Sequence, residues 1–258
     1  MNYGFIGFGN LAKAVYQGLK SESDINFAYF SRAEKAVEIP YLKTLEELAR
    51  FSDVIWLMIK PQDLAGILAR LQHVDLSGKI IVSPVAGKSI AFIESYLGSR
   101  QTVVRIMPNL AIAYKKSVTA FATNCPNDPS VSEIYAVLAK LGKTVMLKEE
   151  AFDLFTSVFG SGPAFILSFI QIFKDKIREF NLPEGLPDEL LLKLAQGTVS
   201  YFAANQADYP IEQLIKNITS KGGTTQAGLE YFVEHRIGKL FEGVLDAAKE
   251  RSIEMNKN

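Results

Sequence analysis

The chain changes character near residue 148: before it, short β-rich runs alternate with helical periods, and after it every period is helical. Such alternation is the pattern of strand–helix–strand units that build a largely parallel sheet. Phe5 and Ile6 belong to a first strand, Leu11, Ala14, Val15 and Leu19 share one face of the helix after it, and Asn26–Phe30 form the next strand. A helix over 44–51, a wholly apolar strand over 54–59, a helix from Gln62, strands over 79–82 and 102–107, and a last strand pair near Val118 and over 144–147 continue the series. Strands that are apolar on both faces require a sheet covered on both sides. The expected fold is therefore α/β, a doubly wound sheet in residues 1–148 followed by an all-α domain in residues 149–258.

In the helical part, the segment from Pro163 to Phe173 is apolar nearly all round. A helix of that kind has to be covered on every side, and about a hundred residues of helix do not provide the cover alone. Helices from a second subunit are expected to supply it, which makes this part a dimerisation domain and the protein a homodimer or a larger assembly of dimers. The same stretch is interrupted by Ser168 and Gln171 and is read as well short of the roughly 20 residues of a membrane span, so no membrane association is expected. Gly160-Ser161-Gly162-Pro163 breaks the helical pattern, giving either a kink or a small pocket, with the kink the safer reading.

Lys plus Arg equals Asp plus Glu at 28 each, which gives no overall pull toward nucleic acid or an anionic surface and points to a small-molecule partner. The single cysteine, Cys125, excludes an internal disulfide framework and a multi-cysteine zinc site. With no basic leader before the first strand, a cytoplasmic location is expected.

Gly7-Phe8-Gly9-Asn10-Leu11-Ala12 stands between the first strand and the first helix, where the G-x-G-x-x-A fingerprint of Rossmann-like dinucleotide-binding domains belongs. Gly7 permits the tight turn, Gly9 leaves the backbone open to a pyrophosphate, Ala12 keeps helix and sheet close, and the free N–H groups at the helix start face the phosphates. An NAD site usually has an acid roughly 20 residues further on, to hold the ribose hydroxyls. Ser31-Arg32 occupy that place here, and a hydroxyl with a guanidinium fork suits the 2′-phosphate of NADP, with NAD as the alternative.

Together these segments resemble the pyrroline-5-carboxylate reductase family along nearly the whole chain. The resemblance continues through Lys60-Pro61-Gln62 after the third strand, Ala86-Gly87 after the fourth, Arg105-Ile106-Met107-Pro108-Asn109 at the end of the fifth, and Gly160-Ser161-Gly162-Pro163-Ala164 in the helical part. Its most specific element is Ile218-Thr219-Ser220-Lys221-Gly222-Gly223-Thr224-Thr225, similar to the family's S-P-G-G-T-T signature and followed by Gly228-Leu229. Lys221 departs from the family's proline, Leu110-Ala111-Ile112 from its Thr-Pro-Ala, and Ser83-Pro84-Val85 is unusual before Ala86-Gly87.

The resemblance implies reduction of the cyclic imine pyrroline-5-carboxylate to L-proline, the last step of proline biosynthesis, by hydride from NADPH. It implies cofactor contacts from Gly7, Phe8, Gly9, Asn10, Leu11, Ser31, Arg32, Lys60, Pro61, Ala86 and Asn109, and an imino-acid carboxylate held by Ser220, Gly222, Gly223, Thr224 and Thr225. Thr225, with Lys60, is the catalytic candidate, its hydroxyl able to bond the imine nitrogen and relay a proton. From the residues alone, Lys60 either reaches a ligand or ends a strand, and Asn109 either bonds the nicotinamide region or caps a turn. His73 and His235 stand in no ligand or triad spacing, so no metal is expected. A different imine substrate on the same fold, or a non-catalytic dinucleotide-binding scaffold, are the competing readings. A 3-hydroxy-acid dehydrogenase would want a lysine in the first long helix of the helical part, and residues 149–173 contain none.

Overall fold

The computed structural model describes residues 1–257. Seven strands form one sheet: β1 (Asn2–Ile6), β2 (Asn26–Phe30), β3 (Val54–Leu57), β4 (Ile80–Ser83), β5 (Thr102–Met107), β6 (Ser117–Thr123) and β7 (Gly142–Met146), in the spatial order β2-β1-β3-β4-β5-β6-β7. The pairs from β2 to β5 are parallel; β6 runs antiparallel to β5 and parallel to β7. Between them lie α1 (Asn10–Leu19), α2 (Leu45–Phe51), α3 (Pro61–Leu71), α4 (Ile90–Leu97) and α5 (Pro129–Ala139), after which α6 (Phe152–Phe155) opens the helical part. Of these, α4 and α5 are additional to the elements expected from the sequence.

The two hydrophobic clusters of the core are the two faces of this sheet, separated by the period of two along each strand. Tyr3, Phe5, Val54, Trp56, Val82 and Val104 face one way, packed by Ala12, Val15 and Leu19 of α1 and by Ile134 and Leu138 of α5. Ile6, Ile55, Leu57, Ile81 and Val103 face the other way, under Leu48 of α2, Leu64 and Leu68 of α3 and Ile93 of α4. Both faces being covered is why β3 and β4 are buried at every position.

By compactness the chain forms two units, Met1–Ser161 with Asp246–Asn258, and Gly162–Leu245. This division differs from one at residue 148 for a physical reason. Phe152 and Phe155 of α6 are buried in the second face of the sheet core. In addition, Ser252 near the chain's end is buried and donates its hydroxyl to Asp153 at 2.6 Å. Residues 149–161 thus pack with the sheet even though they are helical.

The second unit holds α7 (Gly162–Ile177), α8 (Leu186–Asn205), α9 (Ile211–Asn217), α10 (Thr224–Glu234) and the first part of α11 (Ile237–Lys257). Its own core is thin. Leu191 and Leu214 are its buried apolar residues among those described, while Ile166, Leu167, Ile172, Phe173 and Val199 are exposed and α7 buries no residue at all. Phe165 and Phe169 meet the Phe241 ring in edge-to-face pairings, at 6.2 and 5.1 Å between centroids.

Before α7 the helix widens into a π turn at Thr156–Gly160, closed by the Ser161 N–H donating to the Thr156 carbonyl at 2.8 Å. Gly160-Ser161-Gly162-Pro163 is therefore an irregularity within a helical run. The reading of this segment as too short for a membrane span needs correction, because the whole helical run Glu149–Phe180 has 32 residues and is long and apolar enough to cross one by length and composition. Ser168 and Gln171 interrupt the apolar run but not the helix, which continues through both. Length and composition alone do not separate a span from a helix that a partner covers.

Candidate active site

The strand order turns back on itself at β1: β2 lies on one side of it and β3 on the other. Open parallel sheets bind ligands at such a switch point, outside the carboxyl ends of their strands. A cavity of about 660 Å³ lies there, lined by residues that follow β1 (Gly7 to Gly9), β2 (Ser31, Arg32, Ala33 and Lys35) and β3 (Met58 to Lys60), and by one face of α3.

The two fingerprint glycines serve different ends. Gly7 has φ +91°, and a Cβ there would lie 2.4 Å from the Met58 carbonyl oxygen, so it is glycine by both conformation and crowding. Its N–H is tied to the Phe30 carbonyl at 2.7 Å, fixing the turn against the end of β2. Gly9 is an extended N-cap for α1 without a side-chain cap, and a Cβ there would meet nothing within 4 Å. The space it leaves and the free N–H groups behind it are what a pyrophosphate needs.

Ser31 donates its hydroxyl to the Ala33 carbonyl, and Arg32, 91% exposed, pairs with Asp63 at 3.2 Å. Lys60 is the N-cap of α3 with Pro61 in its first turn, and its exposed side chain lines the cavity. The cavity thus brings together Gly7, Phe8, Gly9, Ser31, Arg32 and Lys60; Asn10, Leu11, Pro61, Ala86 and Asn109 lie outside its lining.

Asn109 is engaged elsewhere. Its Oδ1 accepts from Ala111 N–H at 3.0 Å, capping the 3₁₀ turn Leu110–Tyr114, and its Nδ2 donates to the Phe159 carbonyl at 2.9 Å. Of the two readings of this residue, the turn cap is the one seen. The sequence reading missed Lys35, Asp63 and Arg70, which line the cavity. A signal was present, since Asp63, Ile67 and Arg70 fall at helical spacing after Lys60 and so share a face.

The Ser220–Thr225 loop lies in the second unit, immediately before α10. Gly222 has φ +72° and needs to be glycine for that reason, whereas Gly223 is extended and a Cβ there would crowd Ser220 Oγ at 2.4 Å. Of the residues expected to hold the carboxylate, the two glycines do not have free N–H groups. The Gly223 N–H already donates to the Ser220 carbonyl at 3.0 Å, closing the turn, and the Gly222 N–H donates to Gln226 Oε1 at 2.7 Å. Thr224 and Thr225 open α10 behind an N-cap that offers no side-chain hydrogen bond, and both are exposed.

A doubly wound parallel sheet with its glycine turn and a cationic cavity at the switch point defines a dinucleotide-binding protein of the Rossmann class. A family model described as NADP oxidoreductase, coenzyme F420-dependent, matches residues 2–87, and one for pyrroline-5-carboxylate reductase dimerisation matches residues 149–255. The pyrroline-5-carboxylate reductase of Staphylococcus epidermidis is 31% identical over 98% of this chain and 97% of its own length, and that of Staphylococcus haemolyticus is 32% identical with the same coverage. Among solved structures, the Plasmodium falciparum pyrroline carboxylate reductase with NADP bound is 26% identical, with a TM-score of 0.92 over 99% of this chain and 98% of that one. The Streptococcus pyogenes enzyme is 25% identical, with a TM-score of 0.88 over 98% of each chain. The chain belongs to the pyrroline-5-carboxylate reductase family.

Proposed function

We infer that this protein reduces pyrroline-5-carboxylate to L-proline with NADPH, in the cytoplasm and as a homodimer or an assembly of dimers. The observation that carries the reaction is the likeness to pyrroline-5-carboxylate reductases along 98% of the chain, with the glycine turn intact at the switch point. NADPH, when bound, supplies the hydride for the imine carbon. The chain's own part is to hold, orient and protonate. Gly7, Phe8, Gly9, Asn10 and Leu11 present the turn and helix start to the pyrophosphate, Ser31 and Arg32 take the 2′-phosphate, and Lys60, Pro61, Ala86 and Asn109 form the rim beyond β3, β4 and β5. Ser220, Thr224 and Thr225 take the substrate carboxylate, with Gly222 and Gly223 shaping the turn that presents them, and the Thr225 hydroxyl bonds the imine nitrogen. With the imine already formed, positioning can carry most of the catalysis. Function divides at residue 148, between a nucleotide-binding part and a helical part for substrate and dimerisation; the family match over residues 149–255 supports that division.

NADPH oxidation with pyrroline-5-carboxylate, run beside a panel of other cyclic imines, tests the reading. The expected result is turnover with pyrroline-5-carboxylate well above the panel; a clear preference for another imine would overturn the substrate.

Gly9→Val is expected to fold with wild-type thermal stability and to lose NADPH binding in a fluorescence titration, because the new side chain fills the space open at that turn. Gly7→Val should lose stability as well, since its Cβ meets backbone.

The exposed apolar surface of the second unit, with no buried residue in α7, supports a two-fold dimer built from it. Sedimentation at micromolar concentration is expected to show a dimer or larger. A stable monomer would overturn the assembly.

A further inference from the structure

The cavity at the switch point carries more charge chemistry than Ser31 and Arg32 account for. In a chain of zero formal net charge, four cationic side chains, Arg32, Lys35, Lys60 and Arg70, line it against one carboxylate, Asp63. Among the described residues Lys35 and Lys60 have no ion-pair partner, and Arg70 makes no ion pair within 4 Å although the Glu46 carboxylate feels its charge; the ion pair in the cavity is Arg32 with Asp63. Unpaired cations gathered in a concavity are suited to an anion.

Arg70 is exposed, with one aromatic ring beside it. Its guanidinium lies 5.4 Å from the centroid of the Phe30 ring, and Phe30 directly precedes Ser31 and Arg32. A guanidinium that lies over a ring still has N–H donors to offer, and a phosphate can take two of them. Asp63 stands two turns earlier on the same face of α3, and Gly66 between them has nothing within 4 Å of where a Cβ would be, so the face stays open from one to the other.

We propose that Arg70 is a second arm of the 2′-phosphate subsite, and that Asp63 restrains the preference for NADPH by holding Arg32 and by offering a carboxylate to a ribose hydroxyl. This rests on the reading of the cavity as the NADP site. The Arg32–Asp63 pair is largely exposed, so it contributes little by itself and a phosphate can take the guanidinium from it. A 2′-phosphate is repelled by the Asp63 charge, whereas the hydroxyl that replaces it in NADH can donate to the same carboxylate, as ribose hydroxyls do in NAD-selective sites. Arg70 and Asp63 therefore act on the two nucleotides in opposite senses.

The test is the dissociation constant of each nucleotide, read from its own fluorescence, on wild-type, Arg70→Ala, Arg70→Lys and Asp63→Asn proteins. Arg70→Ala is expected to weaken NADPH about tenfold and to leave NADH within about twofold, the loss of one charge-assisted contact. Arg70→Lys should recover part of the NADPH affinity, which a purely structural role for the Phe30 stack would not explain. Asp63→Asn should tighten NADPH several-fold and weaken NADH. Equal changes for both nucleotides in Arg70→Ala, or an unchanged NADPH-to-NADH ratio in Asp63→Asn, would overturn the proposal while wild-type NADPH binding and imine reduction left the functional reading intact. A wild-type protein that binds neither nucleotide would overturn both.

Discussion

An Arg105→Ala variant is expected to lose about 3 kcal/mol of stability, the cost of breaking a buried ion pair by removing one partner. Arg105 lies in the middle of β5, 3% exposed, between the small residues Ser83 on β4 and Ala122 on β6, which leave room for its side chain over the sheet. Its Nη1 donates to Glu149 Oε1 at 2.7 Å and its guanidinium lies 4.5 Å from the Phe152 ring centroid. Glu149 also accepts from the Ile90 N–H at 3.0 Å, at the start of α4. Removing the arginine leaves Glu149 on one hydrogen bond and opens space beneath Phe152, so the start of the helical part comes loose from the sheet. The Glu149 side chain is 28% exposed, so water recovers some of the loss, which holds the figure near the low end of the range for buried pairs. A thermal melt should show a midpoint lower by roughly 5–10 °C for a chain of this length. The double variant Arg105→Met with Glu149→Gln should regain most of it, because no charge is left without a partner and the amide oxygen still serves the Ile90 N–H. A wild-type midpoint for Arg105→Ala would show that the pair does not anchor α6.

Thr225→Ala is expected to lower single-turnover rates by one to two orders of magnitude, roughly 1.4–2.7 kcal/mol of transition-state stabilisation, with NADPH affinity unchanged. Thr225 is exposed in the first turn of α10, and its hydroxyl has no hydrogen-bond partner among the described residues, so removing it breaks nothing in the fold. The loop before it is closed by the Gly223 N–H to Ser220 carbonyl bond and by Gln226, neither of which involves Thr225. A hydroxyl in that position can donate to an imine nitrogen and accept a replacement proton from water. A rate within twofold of wild type would remove Thr225 from the mechanism. Lost NADPH binding would instead mark the loop as structural.

The strands were readable because burial on both faces leaves an unbroken apolar run, and Asn26–Phe30 and Thr102–Met107 are strands to the residue. α4 escaped the sequence reading because Ile90, Phe92, Ile93 and Tyr96 are β-branched or aromatic residues that suit a strand equally well; Ser89, which accepts from the Phe92 N–H, starts it. α5 carried its start in plain view, Asp128 as cap with Pro129 behind it. The glycine turn was legible because each glycine answers a local backbone demand. The cation arrangement was legible only in part: spacing puts Asp63 and Arg70 on one face, but that this face meets Ser31 and Arg32 is seen only where Arg70 lies over Phe30. Nor could spacing reveal that Asn109 is spent on a turn and on Phe159, or that Gly223 closes its own loop. Those depend on where the chain turns, not on which residues it has.

The central claim, reduction of a cyclic imino acid by hydride from NADPH, is tested most directly by isotope transfer. Incubation with pyrroline-5-carboxylate and NADPH deuterated at the nicotinamide carbon that gives up hydride should yield L-proline carrying one deuterium on Cδ, in equal amount to the NADP formed. Proline absent from the mixture, or proline formed without deuterium, would contradict it.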